Sequence, residues 1–290
     1  MLHGSETLKS EANRNGTPEA RAQRAHPLGL VIEDGAGTER MCWHKFGSGP
    51  PLVLLHGGHG SWRHWWRNVE ALGARHTLWI PDLPGFGDSS MPDCAESEDT
   101  LAPLVTVLAR SLDRLLGNSS IAVAGFSFGA MVASCLAHRR SVDRLALLGP
   151  GRHGLSRRPA GELKRWRDIV DATQRREVFR HNLRVHMLHR PDSVDEMAID
   201  IHAGACDKTR CGTREVSLSG RIEPWLGAVR CPVLIVFGEH DVTGDPSQVG
   251  PLLSDGHANR TWEVIRDAGH WVQYEEADQV SRRLAQWFSA

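Results

Sequence analysis

A short turn between a predicted strand and a predicted helix constrains this fold more than any other feature of the sequence. Residues 121–124 are apolar and predict a buried strand, and residues 130–138 are mostly small and predict a helix. The turn between them reads Gly-Phe-Ser-Phe-Gly, with Ser127 at its centre. Gly125 and Gly129 allow a turn so tight that it exposes the serine hydroxyl, as in a nucleophile elbow. The simpler interpretation is a glycine-rich turn without chemistry.

Short apolar runs alternate with segments of helical periodicity over much of the chain. Apolar residues at helical spacing extend from Leu101 to Leu116 and again over residues 277–288. Strands that alternate with helices predict βαβ units, and therefore a parallel sheet with helices on both faces. We expect an α/β fold. The runs that predict strands are residues 41–46, 52–56, 77–80, 121–124, 145–148, 232–237 and 262–265.

The pattern divides the chain into four parts. Residues 1–26 are polar and irregular and predict a flexible N-terminal tail. Residues 27–150 and 230–290 carry the strand signals and predict two parts of one core. Residues 151–229 lack comparable strand runs and predict a helical insertion. Its helical spacing is set by Leu163, Trp166, Ile169 and Val170, then by Leu183, His186, Met187 and Arg190.

A serine hydroxyl needs a base, and the base needs an orienting carboxylate. Downstream of Ser127, the predicted strand 232–237 is followed by Asp241, and the next strand is followed by His270. Both positions lie at strand carboxyl ends, where open parallel sheets place their ligands. We predict that Ser127, His270 and Asp241 act together. Glu239 and Asp245 remain alternatives for the acid.

Acyl transfer also needs hydrogen-bond donors for the negative charge that develops on the carbonyl oxygen. The amide of Phe128 follows the nucleophile directly at the start of a helix, where free N–H groups and the helix dipole favour an anion. The second donor is expected from His56-Gly57-Gly58, where glycine lets the backbone approach a substrate. We favour the amide of Gly58, with Gly57 as the alternative.

Several of these segments together resemble the α/β-hydrolase superfamily. They are His56-Gly57-Gly58, the loop of residues 82–89, Gly125 to Gly129, Asp241 and Gly269-His270-Trp271. The resemblance covers residues 28–290. It implies a mostly parallel eight-stranded sheet with a helical cap inserted after strand 6. It implies no metal and no organic cofactor.

Within that superfamily, residues 268–275 resemble the meta-cleavage-product hydrolases, which are serine-dependent carbon–carbon bond hydrolases. Two positions depart from that group. Phe126 precedes the nucleophile where the group has asparagine, and our alignment places His202 where the group has a cap arginine. Other candidates for that arginine are Arg184, Arg190 and Arg210.

These observations predict a serine hydrolase that acts on an ester of a small to medium, largely apolar acid. A carbon–carbon bond hydrolase of 2-hydroxy-6-oxo-dienoates is the alternative, and a ligand-binding receptor on the same fold is the alternative from another class. Substrate contacts are expected from Gly57, His59, Phe126 and Trp271. A solvent-exposed loop is the competing interpretation for His59, and plain packing is the competing interpretation for Trp271. In the cap, Trp166, His186, Met187 and His202 either face the substrate or form core.

Charge and cysteine usage set limits on partners. The chain has 34 basic and 35 acidic residues, and this balance argues against a nucleic-acid partner. Six cysteines without zinc-like spacing predict reduced thiols in a cytoplasmic protein. No apolar run reaches the ~18–20 residues of a membrane helix. We expect a small-molecule substrate, and a homodimer as the candidate assembly.

Overall fold

A single eight-stranded sheet forms the centre of the protein. The computed structural model describes residues 29–92, 101–212 and 221–289, so the predicted tail of residues 1–26 lies outside the described part. The strand order is β1-β2-β4-β3-β5-β6-β7-β8. The strands are β1 (Leu30–Asp34), β2 (Met41–Phe46), β3 (Pro51–Leu55), β4 (Thr77–Pro81), β5 (Ile121–Phe126), β6 (Val142–Leu148), β7 (Val233–Gly238) and β8 (Arg260–Ile265).

The sheet is parallel except at one edge. Strands β4, β3, β5, β6, β7 and β8 pair in parallel, whereas β2 is antiparallel to both β1 and β4. The expectation of a mostly parallel eight-stranded sheet is therefore confirmed. The sequence analysis did not predict β1, because Leu30 and Val31 are more than half exposed on this edge strand and give it no buried apolar run.

Helices cover both faces of the sheet, and the alternation of strand side chains explains why. On β3, Val53 and Leu55 join one apolar cluster, whereas Leu52 and Leu54 join the cluster on the opposite face. The described α-helices are α1 (Val69–Gly73), α2 (Leu101–Leu116), α3 (Phe128–Arg139), α4 (Ala172–His186), α5 (Glu196–Asp207), α6 (Glu223–Leu226), α7 (Pro246–Ser254), α8 (Val272–Glu275) and α9 (Ala277–Ser289). Short 3-10 helices lie at Gly37–Glu39, Trp62–Asn68 and Pro191–Ser193.

The chain between β6 and β7 is helical wherever it forms regular structure in the described residues. It contains α4, α5 and α6, which confirms a helical segment inserted after strand 6. Its boundaries at residues 151 and 229 stay a prediction. We call residues 151–229 the inserted segment. None of the described helices is both long and apolar enough to cross a bilayer.

One helical prediction in the inserted segment is wrong. Residues 163–170 form no helix, and Leu163 and Val170 are 55% and 97% exposed. The side chain of Asn182 on α4 accepts from the Lys164 N–H and donates to the Lys164 carbonyl. This pairing takes backbone groups that a helix would use. Trp166 still packs on Phe179, but Leu163 and Val170 do not share a buried face with it.

The second apolar series in the inserted segment is only partly helical. Leu183 and His186 lie in α4, but the helix ends at His186, so Met187 caps it and Arg190 lies beyond it. The predicted helical face therefore does not continue to Arg190.

Candidate active site

Three polar side chains meet at the carboxyl edge of the sheet. Ser127 follows β5, Asp241 follows β7 and His270 follows β8. The Ser127 hydroxyl donates to His270 Nε2 at 2.8 Å, and His270 Nδ1–H donates to Asp241 Oδ2 at 2.9 Å. Residues far apart in sequence come together here because parallel strands end at the same edge.

The turn that carries Ser127 is strained and tightly enclosed. Ser127 has φ +51° and ψ −112°, and it links β5 directly to α3. A Cβ at Gly125 would lie 2.3 Å from the Gly129 carbonyl oxygen, and one at Gly129 would lie 2.5 Å from the Leu55 carbonyl oxygen. Only glycine fits at either position. The surrounding structure thus fixes the strained backbone that directs the serine hydroxyl towards His270.

Asp241 is held as an ionised partner for His270. Its side chain is fully buried. The Thr243 N–H and hydroxyl donate to Asp241 Oδ1 at 2.8 and 2.7 Å. Burial works to raise the pKa of the Asp241 carboxyl, but His270 and Thr243 outweigh it and hold this pKa below its ordinary value.

The two other acidic candidates have different roles in the structure. Asp245 begins α7, where it accepts from the Ser247 N–H, and it forms an ion pair with Arg158 at 3.1 Å. Glu239 accepts from the Asp267 N–H at 3.1 Å. Only Asp241 of the three contacts His270.

Gly149 is a site residue that sequence analysis missed. It directly follows β6 and has φ +52°. A Cβ at this position would lie 2.9 Å from His270 Nδ1 and 3.0 Å from Asp241 Oδ2. The only sequence signal is a glycine directly after a predicted strand. Its lack of a side chain leaves room for the hydrogen bond between His270 and Asp241.

The imidazole of His56 fixes the backbone of the loop after β3. His56 Nδ1–H donates to the Gly57 carbonyl at 2.8 Å, and His56 Nε2 accepts from the Leu83 N–H at 2.9 Å. Burial lowers the pKa of His56, so the imidazole stays neutral in this arrangement. Because the Gly57 carbonyl and the Gly58 N–H share one planar peptide, fixing the carbonyl directs that N–H the opposite way.

The two candidate glycines differ in their hydrogen bonds. The Gly57 N–H donates to His64 Nδ1 at 3.2 Å. No acceptor within the described ranges takes the Gly58 N–H. The Phe128 N–H lies in the first turn of α3, where helical N–H groups lack intrahelical partners. Of the two glycines, only Gly57 thus has its N–H engaged within the described residues, and the assignment of Gly58 and Phe128 to an oxyanion hole stays a prediction.

Of the four residues expected at the substrate, two lie deep in the protein. Phe126 is fully buried, with its ring centre 5.0 Å from that of His270. Trp271 is fully buried, donates from Nε1 to the His64 carbonyl at 3.0 Å and stacks on Tyr274. These contacts pack Trp271 against His64 and Tyr274, and its role at the substrate stays a prediction.

The other two expected contacts lie in the loop after β3. Gly57 lies close to the elbow, since a Cβ there would be 3.2 Å from the Ser127 Cβ. His59 is half-buried with φ +51°, and its pKa is lowered by burial and by Arg167.

Among the cap residues, His186 lies nearest the three-residue centre. Its ring centre is 5.7 Å from that of His270, and burial, followed by the charge of His270, lowers its pKa to about 3. Burial lowers the pKa of His202 to about 4. Trp166 packs on Phe179. The cap thus places the His186 imidazole beside His270, with the charge of Arg157 close enough to lower the His186 pKa further.

The three candidate cap arginines have other environments. Arg190 forms an ion pair with Glu276 and donates to the Glu275 carbonyl at 2.8 Å. Arg210 donates to the carbonyls of Gly87 and Ser89 in the loop after β4. Arg184 is exposed to solvent.

Comparisons with known proteins identify the family to which this chain is similar. The model of a family described as alpha/beta hydrolase fold matches residues 50–277. The chain is 28% identical over 278 residues to a 2-hydroxy-6-oxononadienedioate/2-hydroxy-6-oxononatrienedioate hydrolase of Pseudomonas putida, covering 87% of this chain and 92% of that protein. It is 29% identical over 276 residues to the hydrolase of the same name from Paraburkholderia phymatum, covering 86% and 91%.

Solved structures with the same fold include esterases. Carboxylesterase CesB from Bacillus subtilis has a TM-score of 0.72 and 18% identity, covering 93% of this chain and 95% of that one. Naproxen esterase from Bacillus subtilis has a TM-score of 0.72 and 18% identity, covering 99% and 100%. At these identities the likeness shows the shared fold.

Proposed function

The chain belongs to the alpha/beta hydrolase family, and from this premise we propose that it is a serine hydrolase acting through an acyl-enzyme. The proposed substrate is an ester of a small to medium, largely apolar acid. The observation that carries the proposal is the continuous chain of hydrogen bonds from Ser127 through His270 to Asp241, at 2.8 and 2.9 Å.

The geometry supports a defined role for each group. Ser127 Oγ attacks the ester carbonyl while His270 Nε2 takes the hydroxyl proton. The Gly58 and Phe128 N–H groups donate to the oxyanion that forms. Ionised Asp241 stabilises the imidazolium, which then gives its proton to the leaving alkoxide. Water, deprotonated by His270, releases the acid from Ser127.

Two observations favour an ester over a dienoate as substrate. Arg190 and Arg210 are engaged in other contacts and Arg184 faces solvent, so none of these three is available to hold a substrate carboxylate. The residue before the nucleophile, Phe126, is apolar and fully buried beside His270. An uncharged acyl group suits such a site better than a carboxylate does.

A carbon–carbon bond hydrolase is the second candidate. The relatives named as 2-hydroxy-6-oxononadienedioate/2-hydroxy-6-oxononatrienedioate hydrolases cover 86–87% of this chain at 28–29% identity, which favours this candidate. His186, placed near His270, offers a polar contact that such a substrate could use. The same Ser127, His270 and Asp241 would serve this reaction.

The test compares kcat/KM for a short p-nitrophenyl ester with that for a coloured 2-hydroxy-6-oxo-dienoate. Faster ester turnover supports the main proposal, and faster dienoate turnover supports the second candidate. In either case Ser127→Ala should lower kcat by about 10⁴-fold or more. Ser134→Ala is the matched control, because Ser134 lies in α3 with its hydroxyl bonded to the Ala130 carbonyl.

The same experiment addresses the receptor alternative. A receptor would bind ligand without turnover, and Ser127→Ala would leave its affinity unchanged. If the wild-type protein turns over neither substrate but binds either of them, the enzymatic proposal fails.

Two further expectations stay proposals. We place the enzyme in the cytoplasm, and the free thiols of Cys42, Cys206 and Cys231 support this. The proposed homodimer is testable by sedimentation, with a single species of 32.1 kDa contradicting it.

A further inference from the structure

A second cluster of reactive side chains lies at the antiparallel edge of the sheet. Cys42 and His44 are alternate residues of β2, so their side chains share one face, and Asp82 directly follows the neighbouring strand β4. All three side chains are buried. None of them takes part in the proposed reaction.

Three potential ligand atoms converge within this cluster. His44 Nε2 lies 3.7 Å from Cys42 Sγ and 3.8 Å from Asp82 Oδ2, and all three ligand atoms lie within 4.8 Å of one another. One imidazole nitrogen therefore faces two partners, although it has a single lone pair or a single proton. The nitrogen–oxygen distance is too long for a hydrogen bond.

These separations suit a tetrahedral metal ion. Zinc lies at about 2.3 Å from thiolate sulfur and about 2.0–2.2 Å from imidazole nitrogen or carboxylate oxygen. Ligand atoms around such an ion are separated by roughly 3.4–3.6 Å. The observed separations of 3.7 and 3.8 Å need to close only slightly to meet that geometry.

The surroundings are negatively charged and hold the carboxylate in place. Asp82 accepts from the Trp62 N–H at one oxygen and from the Asp88 N–H at the other, which leaves a lone pair on Oδ2. Asp88 and Glu33 add further negative charge near Cys42. A dication balances the charges of one thiolate and one carboxylate, and the displaced thiol proton passes to solvent.

We propose that Cys42 Sγ, His44 Nε2 and Asp82 Oδ2 bind a divalent transition-metal ion of the zinc type, with water as the fourth ligand. The role is structural. The ion joins β2 to the loop after β4, and Trp62 covers it by stacking on His44 with ring centres 4.3 Å apart. The cysteine pattern along the sequence gives no sign of this site, because its ligands come from two separate strands.

Cobalt binding to the full-length protein tests the proposal. Protein stripped of metal by a chelator is titrated with Co²⁺ under reducing conditions, and thiolate ligation produces a charge-transfer band in the near ultraviolet. We expect this band to saturate at one equivalent. We expect Cys42→Ser to abolish it and His44→Gln to weaken binding by at least tenfold.

The chain supplies a matched control for the cysteine. Cys206 is another buried thiol beside a histidine, with Sγ 3.8 and 3.9 Å from the ring nitrogens of His202. Cys206→Ser should leave the cobalt band unchanged. The other metal-ligand group within the described residues, Glu239, His240 and Asp267, contains no sulfur and cannot produce the band.

A second measurement guards against variants that fold poorly. Zn²⁺ should raise the midpoint of thermal unfolding of the wild type and of Cys206→Ser, but not that of Cys42→Ser. The absence of a charge-transfer band in the wild type overturns the proposal, as does a band that persists in Cys42→Ser. These outcomes do not depend on esterase activity, so they are independent of the proposed function.

Discussion

The strand-end centre, formed by Ser127, Asp241 and His270, and the inserted segment are stabilised in different ways. The centre follows β5, β7 and β8, and five of the six residues of β5 and all six of β7 are buried. The inserted segment also buries apolar side chains, among them Phe179, Leu183 and Ile199, but its surface carries charged contacts. Its ion pairs include Arg175 with Asp207, Arg176 with Glu196 and Asp200, and Arg180 with Glu196.

The proposed catalytic residues and the segment proposed to recognise the substrate are thus stabilised by different kinds of interaction. Burial of strand side chains contributes a large free energy per residue and fixes the positions of Ser127, His270 and Asp241. Exposed ion pairs contribute little and respond to salt and pH. The ion pairs of the inserted segment are therefore more sensitive to salt and pH than the buried strands are.

The largest expected effect is a loss of kcat caused by a substitution within the strand-end centre. Asp241→Asn keeps the shape of the side chain but removes the charge that stabilises the His270 imidazolium, so kcat should fall by about 10⁴-fold. Asp245→Asn is the matched control and should retain nearly full kcat, because Asp245 contacts Arg158 rather than His270. Equal losses in the two variants, measured by ester turnover, would contradict the assignment of the acid.

The next largest effect is on the free energy of unfolding, and it should differ between apolar side chains of the two regions. Leu147→Ala in β6 removes a fully buried side chain and should lower the free energy of unfolding by about 2–5 kcal/mol. Val170→Ala in the inserted segment should change it by no more than about 0.5 kcal/mol, because Val170 is 97% exposed. Urea unfolding measures both. A large loss for Val170→Ala would show that this part of the segment packs against a core after all.

The third effect is a dependence of stability on pH. Burial lowers the pKa of His186 in the folded protein to about 3. In the unfolded chain the same imidazole is protonated near pH 6.5, so between these pH values only the unfolded state binds the proton. The free energy of unfolding should therefore fall as the pH is lowered from about 6.5 towards 4. His186 contributes at most roughly 1.4 kcal/mol per pH unit.

Urea unfolding at several pH values in this range tests that dependence. His186→Gln should show a shallower fall than the wild type. His257→Gln, at an exposed histidine, should follow the wild type. A wild-type slope in His186→Gln would show that the cap does not bury this imidazole in solution.

The smallest effect concerns the ion pairs of the inserted segment. Glu196 accepts from both Arg176 and Arg180, and these arginines lower its pKa. Glu196→Gln should cost less than about 1 kcal/mol of stability, and the loss should shrink as salt is added. Glu162→Gln, at an exposed position of the same segment, is the control. Thermal unfolding at low and high salt measures both, and a loss that is independent of salt would contradict an electrostatic origin.

The parts that sequence analysis predicted share one physical basis. Strands of the parallel sheet are buried on both faces, so they stand out as apolar runs, and their carboxyl ends meet at one edge. That rule was enough to expect Ser127, Asp241 and His270 in contact. The tight turn around Ser127 gave a second signal in the sequence, because only glycine fits at positions 125 and 129.

The parts that it did not predict depend on contacts between distant residues. Residues 163–170 have helical spacing, but the side chain of Asn182 takes the backbone groups of Lys164. The link from His56 to Gly57 and Leu83 involves a histidine that looks like any other in the sequence. Periodicity cannot reveal such contacts, because it describes only neighbours along one strand or helix.

Gly149 determines where the inserted segment could be exchanged for that of another enzyme. It ends the strand that leads into the inserted segment, and a side chain there would press on His270 and Asp241. A chimera that exchanges the segment must therefore join after Gly149 and keep that glycine from the host. With the junction placed there, the substrate preference of a donor enzyme can be transplanted while the host retains its own reactive machinery.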